Sequence, residues 1–373
     1  MAVAERIASH LQRAWLRRGV TAVLLLPVTA LYASLVALRR LAFRRGCLRS
    51  HALPLPVVVI GNRIAGGAGK TPTTLAVLAH LRAQGWTPGV LTRGHGARPR
   101  SPSPTLLDAS TSASLDADTT GDEPQLIWRR AGVPLMIGPR RTASAAALMQ
   151  AHPEVDILVC DDGLQHLALR RDIEVIVFDE RGAGNGWLLP SGPLREPLQA
   201  PSVGRTVAPP IVLYNASRAS TDLPGHLSSR TLGPWVTLDA WWAGAPDAAP
   251  TRPPTRPPTR PPTRVHAMAG IAHPQRFFQS LRDQGHDVIP CPLPDHARFD
   301  ELPWSTEVSD LVVTEKDAVK LKPDRVRRER PNTRIWVAVL DFHPDAGFWR
   351  EFDAALQALQ ALRAPRRALT RAE

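Results

Sequence analysis

The chain is expected to fold as an α/β protein, a mostly parallel sheet with helices on both faces, and three observations carry that expectation. Short β-branched runs recur along it, Val57-Val-Val-Ile60, Val155 to Cys160 and Glu174-Val-Ile-Val-Phe178 among them, with the texture of buried parallel strands. Helical stretches alternate with those runs, as in Pro72 to Gln84 and Arg141 to Gln150, and that alternation is the βαβ signature. At 373 residues, with 43% hydrophobic and 21% charged side chains, the chain is globular and longer than one compact core usually needs, so two lobes are expected.

In chain order, the first element is apolar. Gly19 to Leu38 contains no charge, with Arg17 and Arg18 before it and Arg39, Arg40, Arg44 and Arg45 after it. A helix of that length matches a bilayer's hydrocarbon core, about 30 Å at 1.5 Å per residue. Arginines follow where a signal-peptide cleavage site would lie, so a membrane-associated helix fits better. Basic residues on both flanks fix no orientation, and Pro27 also allows a helix lying in the interface.

This segment also locates the net charge of +12. Residues 1–50 hold nine arginines and one acid, residues 251–264 hold four arginines and no acid, and the remainder balances at 33 basic and 33 acidic side chains. No broad basic face is left to track phosphates, so nucleic acid is not an expected partner. Cys47, Cys160 and Cys291 are odd in number and far apart, with neither zinc-ligand spacing nor a disulfide framework. Only Lys70, Lys316, Lys320 and Lys322 are lysines among 46 basic residues, and a retained lysine hints at a need for a compact ammonium.

The strand Pro56 to Ile60 leads into Ile64-Ala65-Gly66-Gly67-Ala68-Gly69-Lys70-Thr71, and a helix follows from Pro72. This is a P-loop ending: backbone N–H groups cradle phosphate oxygens, Lys70 reaches the β- and γ-phosphates and the Thr71 hydroxyl holds Mg²⁺. Ile64 stands where the strict pattern has glycine, and Gly66 and Gly67 supply the flexibility. Gly89 to Thr92 is the next strand; residues 97–120, rich in Ser, Thr and Pro, read as a loop. The strand ending at Cys160 runs into Asp161-Asp162-Gly163, as a Walker B aspartate reaches a metal from a neighbouring strand end. Gln165 and His166 follow closely.

Phosphoryl transfer to a hydroxyl also needs a group that takes its proton. Asp122 and Glu123 in Gly121-Asp-Glu-Pro124, and His296 in Pro294-Asp-His296, are candidates; each could equally be a helix cap or a solvated turn. Arg93 and Arg195 could clamp phosphates. Thr251 to Arg264 repeats Thr-Arg-Pro-Pro and reads as an extended polyproline spacer. Beyond it, strands at Val265–Ile271, Leu311–Thr314 and Ile335–Leu340, with a helix at 274–284, form a second, smaller α/β lobe; Thr314-Glu-Lys-Asp317 puts three charges and a hydroxyl at one strand end. A helix at 348–362 follows.

Together these residues resemble the tetraacyldisaccharide 4'-kinases, the membrane-associated lipid A 4'-kinases of Gram-negative bacteria. The matching pieces are Gly61-Asn62 with GGAGKTP (66–72), TRGHG (92–96), GDEP (121–124), DDGLQH (161–166), GNG (184–186), LPSGPLREP (189–197), PDHARF (294–299) and TEKDAVKL (314–321). They run in the family's order from about residue 50 to 322, and the family's P-loop also lacks the first glycine. The resemblance implies a P-loop NTPase-like fold that transfers the γ-phosphate of ATP, with Mg²⁺, to the 4'-hydroxyl of a tetraacyl glucosamine disaccharide 1-phosphate, forming lipid IVA. It implies an acylated disaccharide lipid as substrate and the inner membrane as partner, with the catalytic domain on the cytoplasmic face and no obligate protein partner evident.

Carried over residue by residue, Asp122 would be the general base, supported by His296 from the second lobe. Asp161 and Asp162 would be the Walker B pair, Asp162 in a catalytic role and Asp161 on the metal with Thr71, and Glu196 would join the metal or nucleotide site. The expected organisation is a membrane-associated helix with basic flanks (1–50), a P-loop kinase domain (51–240), a linker with the repeat (241–264), a C-terminal α/β lobe (265–345) and a C-terminal helix with a basic tail (346–373). Ala297 and Phe299 stand where the family often has a second histidine and an aromatic, so only His296 carries over. If lobe closure brings His296 to Asp122, the stiff repeat should affect turnover. A membrane-anchored P-loop ATPase or GTPase acting on partner proteins, and a nucleotide-sensing binding module, are the other readings; neither accounts for the second lobe's motifs.

Overall fold

The computed structural model describes residues 10–94, 96–97, 103–204, 206–244 and 264–369. The Thr-Arg-Pro-Pro repeat from 251 to 263 and His95 lie outside the described residues. Strands in chain order are β1 (Val57–Gly61), β2 (Pro88–Thr92), β3 (Thr105–Leu107), β4 (Leu135–Ile137), β5 (Ile157–Asp161) and β6 (Ile173–Asp179). They continue with β7 (Ile211–Asn215), β8 (His226–Thr237), β9 (Arg264–Ala269), β10 (Asp287–Pro292), β11 (Asp310–Thr314) and β12 (Arg334–Pro344). Contacts divide the chain into two compact units that interleave in sequence. The first comprises residues 1–73, 156–229 and 343–373, and the second residues 74–155 and 230–342.

The first unit is organised on a parallel sheet in the order β5-β1-β6-β7, with the start of β8 pairing onto β7. Every residue of β1, β5, β6 and β7 is buried, as expected where both faces of a parallel sheet are covered. Phe348, Phe352, Ala355, Leu356 and Leu359 are buried at helical spacing along the helix Ala346–Leu369. Register places Ile60 of β1 opposite Asp161 of β5, so the loop after β1 and the acids after β5 emerge from the same sheet end.

The second unit contains β2 and β4 in parallel, with β3 antiparallel on β4, and a parallel set in the order β10-β9-β11-β12. Alternation along those strands sorts the core into two clusters. Val312, Trp336 and Ala338 pack with Phe277, Phe278 and Leu281, while Leu311, Val313, Ile335 and Val337 pack with Phe299, Leu302 and Trp304. A side-chain period of two puts neighbours on opposite faces.

Two expectations are corrected. The apolar N-terminal run is not one helix: it breaks at Leu25 into Val20–Leu24 and Leu26–Arg44. Pro27 sits in the first turn of the second helix, where its missing N–H costs nothing. That helix continues through Arg39 and Arg40, so these arginines are helical rather than flanking. Residues 97–120 are not all loop either. Thr105–Leu107 pairs with β4, and Asp116 accepts from Thr119 N–H at 2.9 Å to cap a short helix at Ala117–Thr120. Polar composition hid a short Thr-Leu-Leu strand there.

Candidate active site

The phosphate loop leaves β1 and enters the helix Lys70–Ala83. Gly66 and Gly69 take φ of +89° and +91°, backbone that glycine adopts without a Cβ penalty. The Gly69 carbonyl accepts from Thr73 N–H at 3.2 Å and from Thr73 Oγ1 at 2.9 Å. Gly69 thereby caps the helix, and the N–H groups of Lys70 and Thr71 have no intrahelical partner. The loop is braced from three sides. Ala65 N–H donates to the Pro193 carbonyl at 2.8 Å, Asn62 Nδ2 to the Gly66 carbonyl at 2.9 Å and Arg181 Nη2 to the Gly67 carbonyl at 2.7 Å. Asp179, at the end of β6, holds Arg181 at 2.9 Å. Ile64 and Ala68 are buried beneath it.

A Cβ on Gly69 would lie 2.0 Å from Asn215 Nδ2, and Asn215 is itself buried at the end of β7. Gly69→Ala is therefore expected to cost about 1–3 kcal/mol through backbone strain alone, read as a lower denaturant midpoint. A wild-type midpoint would contradict the packing.

Asp161, the last residue of β5, is buried, and Asp162 follows with φ of +51°. Asp162 Oδ1 lies 3.7 Å from Lys70 Nζ and 3.4 Å from Arg195 Nη1, which also donates to Gln165 Oε1 at 3.4 Å. P-loop lysine, Asp162 and Arg195 thus form one charge cluster. Glu196 is surrounded by arginines. It is ion-paired to Arg40, lies 3.9 Å from Arg63 Nε and accepts from Gln165 Nε2 at 3.3 Å. Burial lowers the Arg63 guanidinium's pKa, against the pull of Glu196 and Glu174.

Thr71 lies in the first turn of the helix after the loop and Asp161 ends β5, and both are buried. Among the described residues no three His, Cys, Asp or Glu side chains cluster to hold an ion. Asn62 Oδ1 and Asn215 Oδ1 are buried acceptors beside the loop without a hydrogen-bond partner, positions that a hydrated ion's waters would satisfy.

The second unit holds the other candidates. Gly121, at φ +93°, precedes the helix Asp122–Ala131, whose first turn carries Asp122 and Glu123. The Gly-Asp-Glu-Pro segment does open a helix, and it also presents a carboxylate to His296: Asp122 Oδ2 lies 3.2 Å from His296 Nδ1 and 3.3 Å from Lys320 Nζ. Burial by itself would raise the Asp122 pKa, but the His296 hydrogen bond and the charges of Lys320 and Lys316 hold it below its ordinary value. Lys320 is in turn fixed by Asp317 at 3.2 Å and by the Ala297 carbonyl at 3.0 Å. Thr314 caps the short helix Glu315–Ala318, its Oγ1 accepting from Asp317 N–H and donating to Asp317 Oδ2, and Asp317 also accepts from Gly270 N–H at 2.9 Å.

Asp122 and His296 therefore already meet within one unit, which removes the premise that closure across the repeat is needed to join them. Arg93 is exposed after β2. Sequence reading missed Asn215, Arg181, Asp179 and Arg40. The strand Ile211–Asn215 was legible as Ile-Val-Leu-Tyr-Asn, but nothing local ties its asparagine to a glycine nearly 150 positions earlier.

A family model described as Tetraacyldisaccharide-1-P 4'-kinase matches residues 21–357. The chain is 55% identical over 357 residues to a Tetraacyldisaccharide 4'-kinase of Methylibium petroleiphilum, with 96% of each chain covered. It is 53% identical to one of Leptothrix cholodnii, over 95% of this chain and 98% of the relative. A crystal structure of LpxK from Aquifex aeolicus in complex with ATP superposes with a TM-score of 0.68 at 20% identity, covering 90% of this chain and 98% of that one. At that identity the likeness is one of fold, and it includes the mostly parallel sheet flanked by helices.

Proposed function

The chain belongs to the tetraacyldisaccharide-1-P 4'-kinase family, and from that premise we propose that it transfers the γ-phosphate of ATP to the 4'-hydroxyl of a tetraacyl glucosamine disaccharide 1-phosphate. The match to the family model over residues 21–357 carries the reading. The P-loop supports the ATP half, with its two left-handed glycines and Lys70 facing Asp162. Asp122 supports the acceptor half.

In this reading the Gly66–Thr71 backbone and Lys70 bind the phosphates, and Arg195 adds a guanidinium to the same charge cluster. Mg²⁺, held by Thr71 and Asp161, would neutralise charge developing on the phosphate oxygens. Glu196 is assigned to Arg40 and Arg63 rather than to the ion. Asp122 takes the proton as the hydroxyl O–H bond breaks. The new O–P bond forms while the bridging bond to the γ-phosphorus breaks, and ADP leaves. Asp162 keeps Lys70 and Arg195 oriented through the transfer.

The test is transfer of labelled γ-phosphate from Mg·ATP to the tetraacyl disaccharide 1-phosphate in detergent micelles, with Asp122→Ala and Lys70→Ala alongside. Labelled lipid that both variants nearly abolish supports the kinase. Acceptor-independent phosphate release with no labelled lipid would replace it with the ATPase reading.

Among the described residues, Leu26–Arg44 is the one helix long and apolar enough to cross a membrane. We infer that it lies in the interface, on the cytoplasmic face of the inner membrane. Thr29 Oγ1 donates to Ser191 Oγ at 2.7 Å, Tyr32 Oη to the Arg195 carbonyl at 2.8 Å, and Arg40 pairs with Glu196. Those three residues share one helix face, so lipid cannot surround the helix. Leu31, Leu35 and Leu38 line the opposite face and are exposed. Leu31→Asp with Leu35→Asp is expected to weaken binding to anionic vesicles at least about tenfold, two leucines each contributing about 1.5–3 kcal/mol when buried. Unchanged co-flotation would contradict an interfacial face.

A further inference from the structure

The chain from Pro190 to Glu196 is gripped from two sides. On one side it braces the phosphate loop. The Pro193 carbonyl accepts from Ala65 N–H at 2.8 Å, Leu194 bridges to Ile64, and Arg195 N–H donates to the Arg63 carbonyl at 2.7 Å. On the other side it is held by the N-terminal segment. Trp15 Nε1 donates to the Pro190 carbonyl at 2.8 Å, Ser191 N–H to Thr29 Oγ1 at 3.0 Å, and Tyr32 Oη to the Arg195 carbonyl at 2.8 Å. The two grips meet at Arg195.

A residue's backbone has two soft dihedrals. The N–H of Arg195 fixes the peptide before its Cα and its carbonyl fixes the peptide after it. The two bonds together set φ and ψ and, with them, the direction of the Cα–Cβ bond. The side chain's own holds are looser: Nη1 lies 3.4 Å from Asp162 Oδ1 and 3.4 Å from Gln165 Oε1, longer than such bonds usually are. The guanidinium is therefore aimed chiefly from the main chain.

We propose that Tyr32 is a positioning residue for Arg195, so that the helix Leu26–Arg44 is a structural part of the phosphate site as well as the face that meets lipid. This role rests on the kinase reading, in which Arg195 meets the transferring phosphate; the hold of Tyr32 on the Arg195 peptide does not.

The rest of the helix makes Tyr32 separable. Thr29 bonds to Ser191 and Arg40 pairs with Glu196, on the helix face that Tyr32 shares. Arg39 Nη2 donates to the Gln165 carbonyl at 3.1 Å. Removing the Tyr32 hydroxyl leaves these attachments, so the helix stays docked and the peptide between Arg195 and Glu196 loses its donor. Rotation of that peptide changes ψ of Arg195, and a small swing at Cα grows along a side chain as long as arginine's. A displacement of about 1 Å in a charge-stabilising group can cost as much as a hundredfold in rate.

The experiment is titration calorimetry on full-length protein in detergent micelles, with Mg·ADP alone and with beryllium fluoride, which stands in for the γ-phosphate. Four proteins are compared: wild type, Tyr32→Phe, Arg195→Ala and the double variant. Wild type is expected to bind ADP more tightly with the fluoride than without it. In Tyr32→Phe that preference should fall about tenfold, the worth of one positioned hydrogen bond, with affinity for ADP alone unchanged. Arg195→Ala should lose more of the preference, and adding Tyr32→Phe to it should cost nothing further, because the tyrosine acts through that guanidinium. The kcat for lipid phosphorylation should follow the same cycle.

A tyrosine that only fastens the helix would give the same loss with or without the Arg195 guanidinium, and that result overturns the proposal. So does a Tyr32→Phe protein with the wild-type preference, one that no longer binds ADP, or a wild type with no preference to lose. The calorimetry needs no lipid acceptor. An intact binding cycle without labelled lipid would count against the kinase reading and leave the positioning role standing.

Discussion

Asp122→Asn is expected to lower kcat for lipid phosphorylation by about two to four orders of magnitude, the usual worth of a positioned general base, while ATP affinity stays near wild type. Asparagine keeps the size and still accepts from His296 Nδ1 and Lys320 Nζ, the contacts that Oδ2 makes at 3.2 and 3.3 Å. What it removes is basicity. Nucleotide affinity measured beside turnover separates the two: a parallel loss of both would place Asp122 in binding rather than proton transfer.

The same carboxylate sets an acid limb. Its pKa in the folded chain lies below the ordinary value, because the His296 hydrogen bond and the lysine charges overcome burial. A carboxylate with a depressed folded pKa contributes stability above the unfolded pKa and loses it as pH falls through the folded one. The base should accordingly be ionised throughout the neutral range, and the acid limb of kcat/KM should lie below the ordinary carboxylate pKa. Lys320→Met removes one of the charges that depress it and is expected to move that limb to higher pH. An unmoved limb would detach Lys320 from the base.

The second large effect is on stability. Glu196→Ala leaves Arg40 without its paired carboxylate and Arg63 with only the weaker pull of Glu174, where water has little access: the side chains of Arg40, Glu196 and Arg63 are 13%, 7% and 6% exposed. Breaking a buried pair by removing one partner costs about 3–5 kcal/mol, which should appear as a clear drop in the thermal and denaturant midpoints. Arg63 keeps bonds to the Pro197, Leu198 and Ala200 carbonyls, so the fold should survive while the segment after Glu196 loosens. Glu196→Gln retains an acceptor for Arg40 and is the sharper probe of the metal question. Unchanged Mg²⁺ dependence of turnover fits the arginine assignment, and a raised Mg²⁺ requirement would return Glu196 to the ion.

Much of the first unit was legible because its chemistry is local. The strand Val57–Gly61, the loop to Thr71 and the helix after it are contiguous, so one stretch of residues specifies phosphate binding by backbone geometry. Asp161 and Asp162 were legible for the same reason, Asp161 ending a fully buried strand and Asp162 following it. Pairing Asp122 with His296 had no local signal: each segment alone is a helix start or a turn, and the resemblance to known kinases joined them. Glu196 shows the opposite limit. A carboxylate beside an arginine in Leu-Arg-Glu-Pro suits a metal or an ion pair equally, and only the helix that brings Arg40 across 156 positions favours the pair.

By itself, then, the order of residues determined the α/β class, the phosphate loop, the apolar N-terminal segment and, through its motifs, the family. These depend on hydrophobic period, glycine placement and composition, which act over a few residues. Tertiary structure decided the partners of the charged groups: Lys70 with Asp162, Glu196 with Arg40, Asp122 with His296 and Lys320, and His296 with Lys316. A side chain's charge is written in the sequence. Its protonation, tautomer and role follow from which other charges lie within about 4 Å, where Coulomb energies exceed thermal energy once water is displaced, and that set is chosen by the fold.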